Sequence, residues 1–479
     1  MSMKRYKQLA LGATLLAFTL PLGLAAQTAT DQEVNDLKQQ VQALRSEMDA
    51  MKAASATPKV VPAVATQVAD APAAGAPAAA ATEAAPAPPP DPLAGITSVL
   101  HGVNLTALVD GYYQYNANHP VDGTYTEPFT NVNSQFMLNL LEVQLDKPVD
   151  RSSPLGFRVA MGFGNAMTQI ENSSNFALKT GVSDGNATTT QYLKEGYLSY
   201  MAPIGKGLQI DFGKFVTPAG NEVIESNQNW NYTRGLLFYD AIPYYHFGAR
   251  VKYTFNDKFS ITGLATNGWN NVLSTNTGKT GGFSASWNAT KKITLTETYL
   301  TGPRDAFATG NNSSWNNLAD TVVAYNPTSK LSVAGEFDYD HQGLSAAENY
   351  TGTGGADYTG VAGYVRYAVS SKTAVAGRYE YLNDHDGLAL GINGGLAVAG
   401  YPFPSGNSLP VGVGGHDHPQ EFTGTLERTF ANHFITRLEY RHDFSNHDIF
   451  EVGGGKGAAS FSDHQDTVTV GMMLVLQPQ

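Results

Sequence analysis

Apolar and polar residues alternate with a period of two along most of the chain after residue 102. In the clearest stretch, residues 245–255, aromatic and aliphatic side chains at odd positions alternate with His246, Gly248, Arg250, Lys252 and Thr254. The pattern recurs in residues 102–115, 157–163, 331–339, 359–367, 373–381, 434–441 and 467–474. Because successive side chains of a strand point to opposite faces, each stretch predicts a strand with one apolar face and one polar or glycine-rich face.

The connections between these stretches alternate in length. Short, turn-rich links occur at residues 202–207, 256–258, 288–292, 326–330 and 369–372. Between them lie long polar segments at residues 117–133, 165–190, 216–243, 267–280, 301–316, 341–357, 383–419 and 445–464. An up-and-down barrel of the outer membrane has this asymmetry, with short periplasmic turns and longer outer loops. A soluble β-sandwich with Greek-key crossovers has no reason to show it.

The pattern therefore predicts an all-β fold, a transmembrane antiparallel up-and-down β-barrel of about 16 strands over residues 102–476. Its apolar face would meet lipid and its polar face the lumen. An even strand number would place both ends of the barrel in the periplasm. The last strand of such barrels commonly ends on an aromatic residue, and here Leu476 takes that place.

The N-terminal segment has the pattern of a signal peptide. Lys4, Arg5 and Lys7 precede an apolar run at residues 9–24 that ends in small residues. This predicts that residues 1–25 are removed on export. An uncleaved membrane anchor is the other interpretation, but the run is short for a span.

Residues 27–52 carry a heptad pattern, and residues 53–92 are rich in Ala and Pro. The heptad seam consists of Val34, Leu37, Val41, Leu44, Met48 and Met51. It predicts a short periplasmic coiled-coil helix for oligomerisation, or an amphipathic helix that lies on the barrel or on a partner. The Ala/Pro-rich segment cannot bury a core and is predicted to be a disordered, extended tether that reaches on the order of 100 Å.

Composition narrows the possible functions. The chain has no cysteine, which excludes a disulfide framework and a thiol nucleophile. Its net charge of −12 argues against nucleic acid as a partner. Mean hydropathy is only −0.22, with Gly 49, Tyr 24 and Phe 22, which suits many strands that each have one apolar face.

The most distinctive sequence segments lie in the middle of the chain. They are GKGLQIDFGKF at residues 205–215, TPAGNE at 217–222, NWNYTR at 229–234, IPYYHFG at 242–248 and NGWNN at 267–271. With these segments the chain resembles the OmpL-like putative outer-membrane β-barrel porin family over residues 102–476. The resemblance implies a channel-forming barrel. The heptad segment and the tether lie outside it.

The segment at residues 216–243 is the predicted pore constriction. It is rich in Asn and aromatic residues and carries Glu222, Glu225, Arg234 and Asp240. Folded inward, it would place both signs of charge in the lumen, where charged side chains set ion preference. The alternative is an ordinary outer loop packed on the barrel rim.

Strand parity predicts which charged side chains face the lumen. They are Arg158, Asp211, Arg250, Lys252, Glu336, Asp338, Arg366, Arg378, Glu380, Arg437, Glu439 and Arg441. The two signs nearly balance, so we expect no strong anion or cation selectivity. These charges would form either a salt-bridged wall or a transverse field that orients solutes.

Other chemistry has weaker support. Glu222 with Glu225, and Asp338 with Asp340, are carboxylate pairs of the kind that glycosidases use, but nothing marks a paired acid and base. The sequence His416-Asp417-His418 lacks a third fixed ligand for a metal. The glycine-rich segment at residues 453–457 lacks the spacing of a phosphate loop. We therefore expect no catalytic residues, no metal site and no cofactor.

Together these observations predict a non-enzymatic porin of the bacterial outer membrane, with its N-terminal segment in the periplasm. Its expected partners are outer-membrane lipid, small hydrophilic solutes that diffuse passively, and copies of itself, with a homotrimer favoured. One alternative is a structural envelope tether whose N-terminal rod reaches the cell wall. An outer-membrane hydrolase is a third and less supported hypothesis.

Overall fold

The computed structural model describes residues 102–121, 123–172, 190–273, 278–303, 315–343, 355–386, 389, 417–430, 433–453 and 460–476. The predicted signal peptide, heptad helix and tether, and His416, lie outside these residues. In this part of the chain, no helix is long and apolar enough to cross a membrane.

Sixteen antiparallel strands form a closed barrel, as the alternating pattern predicts. Two further short strands, β16 and β17, form a separate hairpin. The strands are β1 (Asn104–Asn116), β2 (Phe136–Lys147), β3 (Leu155–Phe163), β4 (Leu193–Ala202), β5 (Leu208–Val216), β6 (Tyr245–Asn256), β7 (Phe259–Thr266), β8 (Thr280–Asn288), β9 (Ile293–Pro303), β10 (Trp315–Tyr325), β11 (Leu331–Gln342), β12 (Ala356–Ser370), β13 (Thr373–Asn383), β14 (Gln420–Phe430), β15 (Phe434–Phe444), β16 (Phe450–Val452), β17 (Ser460–Ser462) and β18 (His464–Leu476).

The last strand closes the barrel against the first. β18 pairs with β15 on one side and with β1 on the other, where Leu476 lies opposite Ala107. Barrel strands otherwise pair with their neighbours in sequence. Leu476 thus completes the ladder where an aromatic residue is common, and the predicted last strand is confirmed.

Two long connections that the sequence predicts to be polar loops contain regular structure. Residues 165–190 begin with the helix α1 (Asn165–Asn172), whose Ala166, Met167 and Ile170 are buried. Residues 445–464 contain the hairpin of β16 and β17, whose Phe450 packs on Tyr125 with ring centroids 6.2 Å apart. Each element forms because a few apolar side chains find a surface on distant parts of the chain, which for α1 are β2, β3 and the connection before β2. No local pattern reveals such a surface.

The outward face of the wall is apolar, as predicted. Its exposed side chains include Leu198, Phe212, Phe337, Val361 and Leu438. Trp287, Tyr325 and Phe430 lie near the short-turn end. Toward the long-loop end, the hydroxyls of Tyr339, Tyr379 and Tyr440 donate to Asp357, Gln420 and Asp466 over 3.2, 2.6 and 2.6 Å. Two aromatic belts around an apolar band are typical of a barrel in an outer membrane.

The inward face differs from the prediction in one respect. It carries buried apolar side chains as well as polar ones, among them Leu140, Leu264, Leu300, Leu318 and Leu382. These residues join an apolar cluster with Ile224, Leu237, Phe238 and Ile242 from the connection between β5 and β6. The lumen therefore contains a small hydrophobic core, because a segment of chain folds into it.

Candidate functional site

The connection between β5 and β6 lies inside the barrel. We refer to residues 216–243 as loop 216–243. It contains a short 3₁₀ turn at Ser226–Gln228 and a single π-helical turn at Leu237–Ala241. Tyr232, Thr233 and Leu236 are fully buried within it. The predicted inward position of this loop agrees with its contacts, which run to lumen-facing side chains of the opposite wall.

Three lumen-facing arginines of β13 and β15 hold the loop. Arg378 donates to Glu222 Oε1 over 2.6 Å and to the carbonyl of Thr233 over 2.7 Å. Arg437 donates to the carbonyls of Ser226, Asn229 and Asn231 over 2.6, 2.6 and 2.8 Å. Arg441 donates to the carbonyl of Arg234 over 2.7 Å. These guanidiniums supply the donors that irregular buried backbone needs.

Carboxylates of the same wall accept from the loop. Glu439 accepts from the amides of Tyr232 and Thr233 over 2.5 and 2.8 Å. Glu380 accepts from the amide of Leu237 over 3.2 Å. On β1, Asp110 accepts from the Tyr232 hydroxyl over 2.6 Å. The loop therefore donates to wall carboxylates through its amides and a hydroxyl, and accepts from wall arginines through its carbonyls. These charge-assisted hydrogen bonds fix the position of the loop.

The four predicted charged residues of the loop are all buried or nearly so, and three of them have polar partners. Glu222 bonds Arg378 and also accepts from the amide of Gly235 over 2.6 Å. Glu225 bonds the ammonium of Lys194, which also contacts Glu142 at 2.5 Å. Arg234 donates to the carbonyls of Tyr232 and Ile224. These charges are thus used mainly to fold the loop.

The surroundings shift the pKa values of the loop's ionisable groups. Burial raises the pKa of Asp240 well above its ordinary value, and nearby Asp384 raises it further. Burial also lowers the pKa of Arg234. For Glu225, burial alone would raise the pKa, but Lys194 outweighs it and holds the pKa below the ordinary value.

Five of the predicted lumen residues lie away from the loop, toward the short-turn end. Arg158 pairs with Glu195 at 2.7 Å, Arg250 with Asp211 at 2.8 Å and Arg366 with Glu427 at 2.8 Å. The three arginine side chains are 22–32% exposed, and Lys252 is exposed. Asp211 and Arg250 are directly opposite in the ladder between β5 and β6. This part of the wall has cross-strand ion pairs that solvent can reach.

The wall from β7 to β9 carries hydroxyls in place of charges. Its lumen-facing Thr262, Ser284, Ser286 and Thr296 are half-buried. The Thr298 hydroxyl of this wall donates to the carbonyl of Pro218 in loop 216–243 over 3.3 Å. This wall therefore has a polar, partly exposed surface beside Leu264 and Leu300, which belong to the apolar cluster that includes the loop.

The remaining two predicted residues, Glu336 and Asp338, lie on β11 beside Asp320 of β10. Asp320, Glu336 and Asp338 are buried and have carboxylate oxygens within 4.8 Å of one another. The sequence alone predicted no metal site and did not point to Asp320. It also missed Asp110, Lys194, Glu421 and Glu427. Strand parity could have found Asp320, but residues 315–325 alternate too weakly to be read as a strand.

Two other candidates from the sequence were Asp417, for metal binding, and the pair Asp338 and Asp340, for acid–base chemistry. Asp417 contacts the ring nitrogen of His447 at 2.6 Å and pairs with Asp384 in an isolated bridge. Asp338 and Asp340 are both buried on the lumen side of β11.

Comparison with known proteins agrees with this geometry. A family model described as "Putative beta-barrel porin-2, OmpL-like" matches residues 102–476. The chain belongs to this family. The match covers the whole barrel from β1 to β18, and the family is one of outer-membrane porins.

Solved structures with a similar fold are distant in sequence. The anion-selective porin from Comamonas acidovorans is 8% identical, with a TM-score of 0.48, and covers 78% of this chain and 99% of its own. The trimer form of OmpT from Vibrio cholerae is 10% identical, with a TM-score of 0.47 and coverage of 78% and 99%. The outer membrane channel DcaP of Acinetobacter baumannii is 11% identical, with a TM-score of 0.45 and coverage of 78% and 97%. No curated protein sequence matches significantly.

Proposed function

We propose that this porin-family barrel is a water-filled channel through which small hydrophilic solutes diffuse passively across the outer membrane. The observation that carries the proposal is loop 216–243, which is held against β13–β15 while the hydroxyl-bearing wall of β7–β9 stays half-buried. A polar passage between that wall and the loop would be a constriction set by the loop. A barrel of this strand number has room for such an aqueous channel.

The test is conductance of the purified, folded full chain in planar lipid bilayers. We expect discrete, ohmic steps, and partial block by solutes that approach the size of the constriction. Heat-modifiable migration on gels would verify that the barrel is folded. Folded protein that inserts and gives no steps above the detergent control would overturn the proposal.

The alternative role as an envelope tether predicts a different dependence on the N-terminal segment. Deletion of residues 27–92 should leave channel conductance unchanged if the barrel is the functional unit. If the deletion abolished attachment to peptidoglycan and the full chain did not conduct, the tether would be the function instead.

We also propose that the protein catalyses no reaction and needs no cofactor for transport. The carboxylates of Glu222 and Glu225 are engaged by Arg378 and Lys194, so neither is placed as a free acid or base. Turnover of lipid, ester or glycoside substrates by purified protein, lost in Glu222→Gln, would contradict this.

Homo-oligomers, with a trimer favoured, form part of the proposal. The apolar outward face is interrupted by Glu297 of β9, whose carboxylate accepts from the Thr321 hydroxyl of β10 over 2.6 Å. An acidic group facing hydrocarbon is unfavourable, so we expect a neighbouring subunit to cover it. Native mass spectrometry should show a trimer that Glu297→Arg weakens. A monomeric wild-type protein would contradict this part.

A further inference from the structure

Three carboxylates meet in the lumen where β10 and β11 face the start of loop 216–243. Asp320 and Asp338 lie directly opposite each other in the ladder, and Glu336 is two residues before Asp338 on the same face. Asp320 and Asp338 are 0% exposed and Glu336 is 6% exposed. Two like charges directly opposite in a sheet are destabilising, and burial increases the cost.

Hydrogen bonds satisfy only part of this group. Asp320 Oδ1 accepts from the Gly220 amide over 3.1 Å, and Glu336 accepts from the Asn221 amide and the Tyr364 hydroxyl over 3.3 and 2.7 Å. Asp320 Oδ2 and both carboxylate oxygens of Asp338 have no hydrogen-bond donor among the described residues. With both aspartates ionised, Asp338 is thus a fully buried side chain whose oxygens lack a donor and lie beside those of Asp320 and Glu336.

No cation of the described chain compensates for this charge. Arg378 of β13 contacts Glu222 and Glu421 at 2.6 Å each, and Glu380 at 3.9 Å. It is therefore already shared among three other carboxylates. With all three carboxylates ionised, the cluster would carry an excess of negative charge that an added cation would neutralise.

We propose that Asp320, Glu336 and Asp338 form a binding site for a hard divalent cation of the calcium type. Such cations take carboxylate oxygens at about 2.3–2.6 Å, and oxygens on opposite sides of one ion would then be up to about 5 Å apart. One oxygen of each carboxylate lies within 4.8 Å of the others, which is compatible with this limit. The unsatisfied oxygens of Asp320 and Asp338 supply the core of the coordination, and Glu336 adds a third carboxylate.

The position of the site gives the cation a structural consequence. Gly220 and Asn221 donate to the same carboxylates that would hold it, so the ion would fix the first turn of loop 216–243 to β10 and β11. The middle of the loop is held by Arg437 and Arg441. The site does not depend on whether the barrel conducts, because it is defined by the wall and the loop alone.

The test uses terbium(III) as a luminescent probe of calcium sites on the folded full chain, in detergent free of lipopolysaccharide. Tyr364, whose hydroxyl is 2.7 Å from Glu336, should sensitise emission from a bound ion. We expect one saturable site for each barrel, with displacement by calcium. Asp338→Asn should weaken binding by roughly 10- to 100-fold or more, since loss of even an outer-shell partner of a metal has such effects.

Two further variants keep the result decisive. Asp320→Asn should weaken binding in the same way, and serves if Asp338→Asn does not fold. Glu427→Gln is the matched control, because Glu427 is a lumen carboxylate already held by Arg366 and Arg437 at 2.8 Å each. The proposal would be overturned if the wild type showed no saturable binding, or if all variants bound terbium equally. The three carboxyl groups would then be stabilised by shared protons instead of a cation.

Discussion

At the scale of single residues, Arg378 joins two parts of the molecule that are distant in sequence. Its buried guanidinium bonds Glu222 and the Thr233 carbonyl of the loop, and Glu421 of β14. Arg378→Met would leave buried carboxylates unpaired, so we expect the free energy of unfolding to fall by about 3–5 kcal/mol. Denaturant unfolding in detergent measures this.

The control for that change is Arg428→Met. Arg428 is exposed on the outward face and donates to the Thr373 hydroxyl over 2.6 Å. A surface substitution of this kind should stay within about 0.5 kcal/mol. Equal losses in both variants would show that Arg378 does not hold the loop.

Glu127, in the connection between β1 and β2, predicts a pH dependence of stability. Burial raises its pKa from 4.5 to about 7, although Arg441 acts in the opposite direction. The folded state therefore binds more protons than the unfolded state in this range, and the contribution of Glu127 to stability falls as pH rises from about 4.5 to about 7. We expect Glu127→Gln to remove this part of the pH dependence. Unfolding free energies of both proteins at pH 4.5 to 8 measure it, and an unchanged pH profile in the variant would contradict it.

At the scale of elements, β18 and loop 216–243 fit together through a glycine. A Cβ at Gly471 would lie 2.2 Å from the Tyr232 ring. Gly471→Ala should therefore push Tyr232 away from Asp110, lower stability by about 1–3 kcal/mol through overpacking and change single-channel conductance. Denaturant unfolding and bilayer recording measure the two effects.

Gly424 on β14 provides the matched glycine. A Cβ there would meet nothing within 4 Å, and glycine weakens strand interiors. Gly424→Ala should be neutral or slightly stabilising and leave the conductance as it is. If both alanine variants had the same stability and conductance, the close contact between Gly471 and Tyr232 would not control the position of the loop.

Prediction from sequence succeeded best for elements whose information is local. Residues 245–255 show their period of two without reference to any other strand, and the short turns reveal where strands reverse. The predicted connections at residues 301–316 and 326–330 leave room for β10, but its alternation was not identified. Its outward face bears Asn317 and Thr321 and its inward face Leu318 and Val322. Its Asp320 was missed for the same reason. The inward fold of loop 216–243 was one of two interpretations of the sequence. The sequence could not decide between them, because some polar partners of the loop lie more than 200 residues away.

At the scale of the whole molecule, ion preference depends on the charges that solvent reaches. Most lumen charges near the loop are paired and buried, whereas Lys252 is exposed near the short-turn end. Lys252→Glu should therefore shift the reversal potential toward cation preference, from a wild-type value that indicates little selectivity. Bilayer recordings under a salt gradient measure this, with Lys291→Glu, in an exposed short turn, as the control.

A strongly selective wild-type channel would contradict the expected balance of charges. If the reversal potential shifted equally in both variants, selectivity would depend on the total charge of the short-turn end and not on the lumen wall.

The sequence by itself determined the all-β class, the positions of many strands, the alternation of short and long connections and the apolar outward face. These follow from side-chain alternation and turn chemistry, which act over a few residues. Tertiary structure alone decided which charges meet, since closure of the barrel brings Arg378, Arg437 and Arg441 to one loop and the register of β10 and β11 sets Asp320 against Asp338. Those contacts depend on register and on the path of the loop across the lumen, and both are set by packing between distant segments.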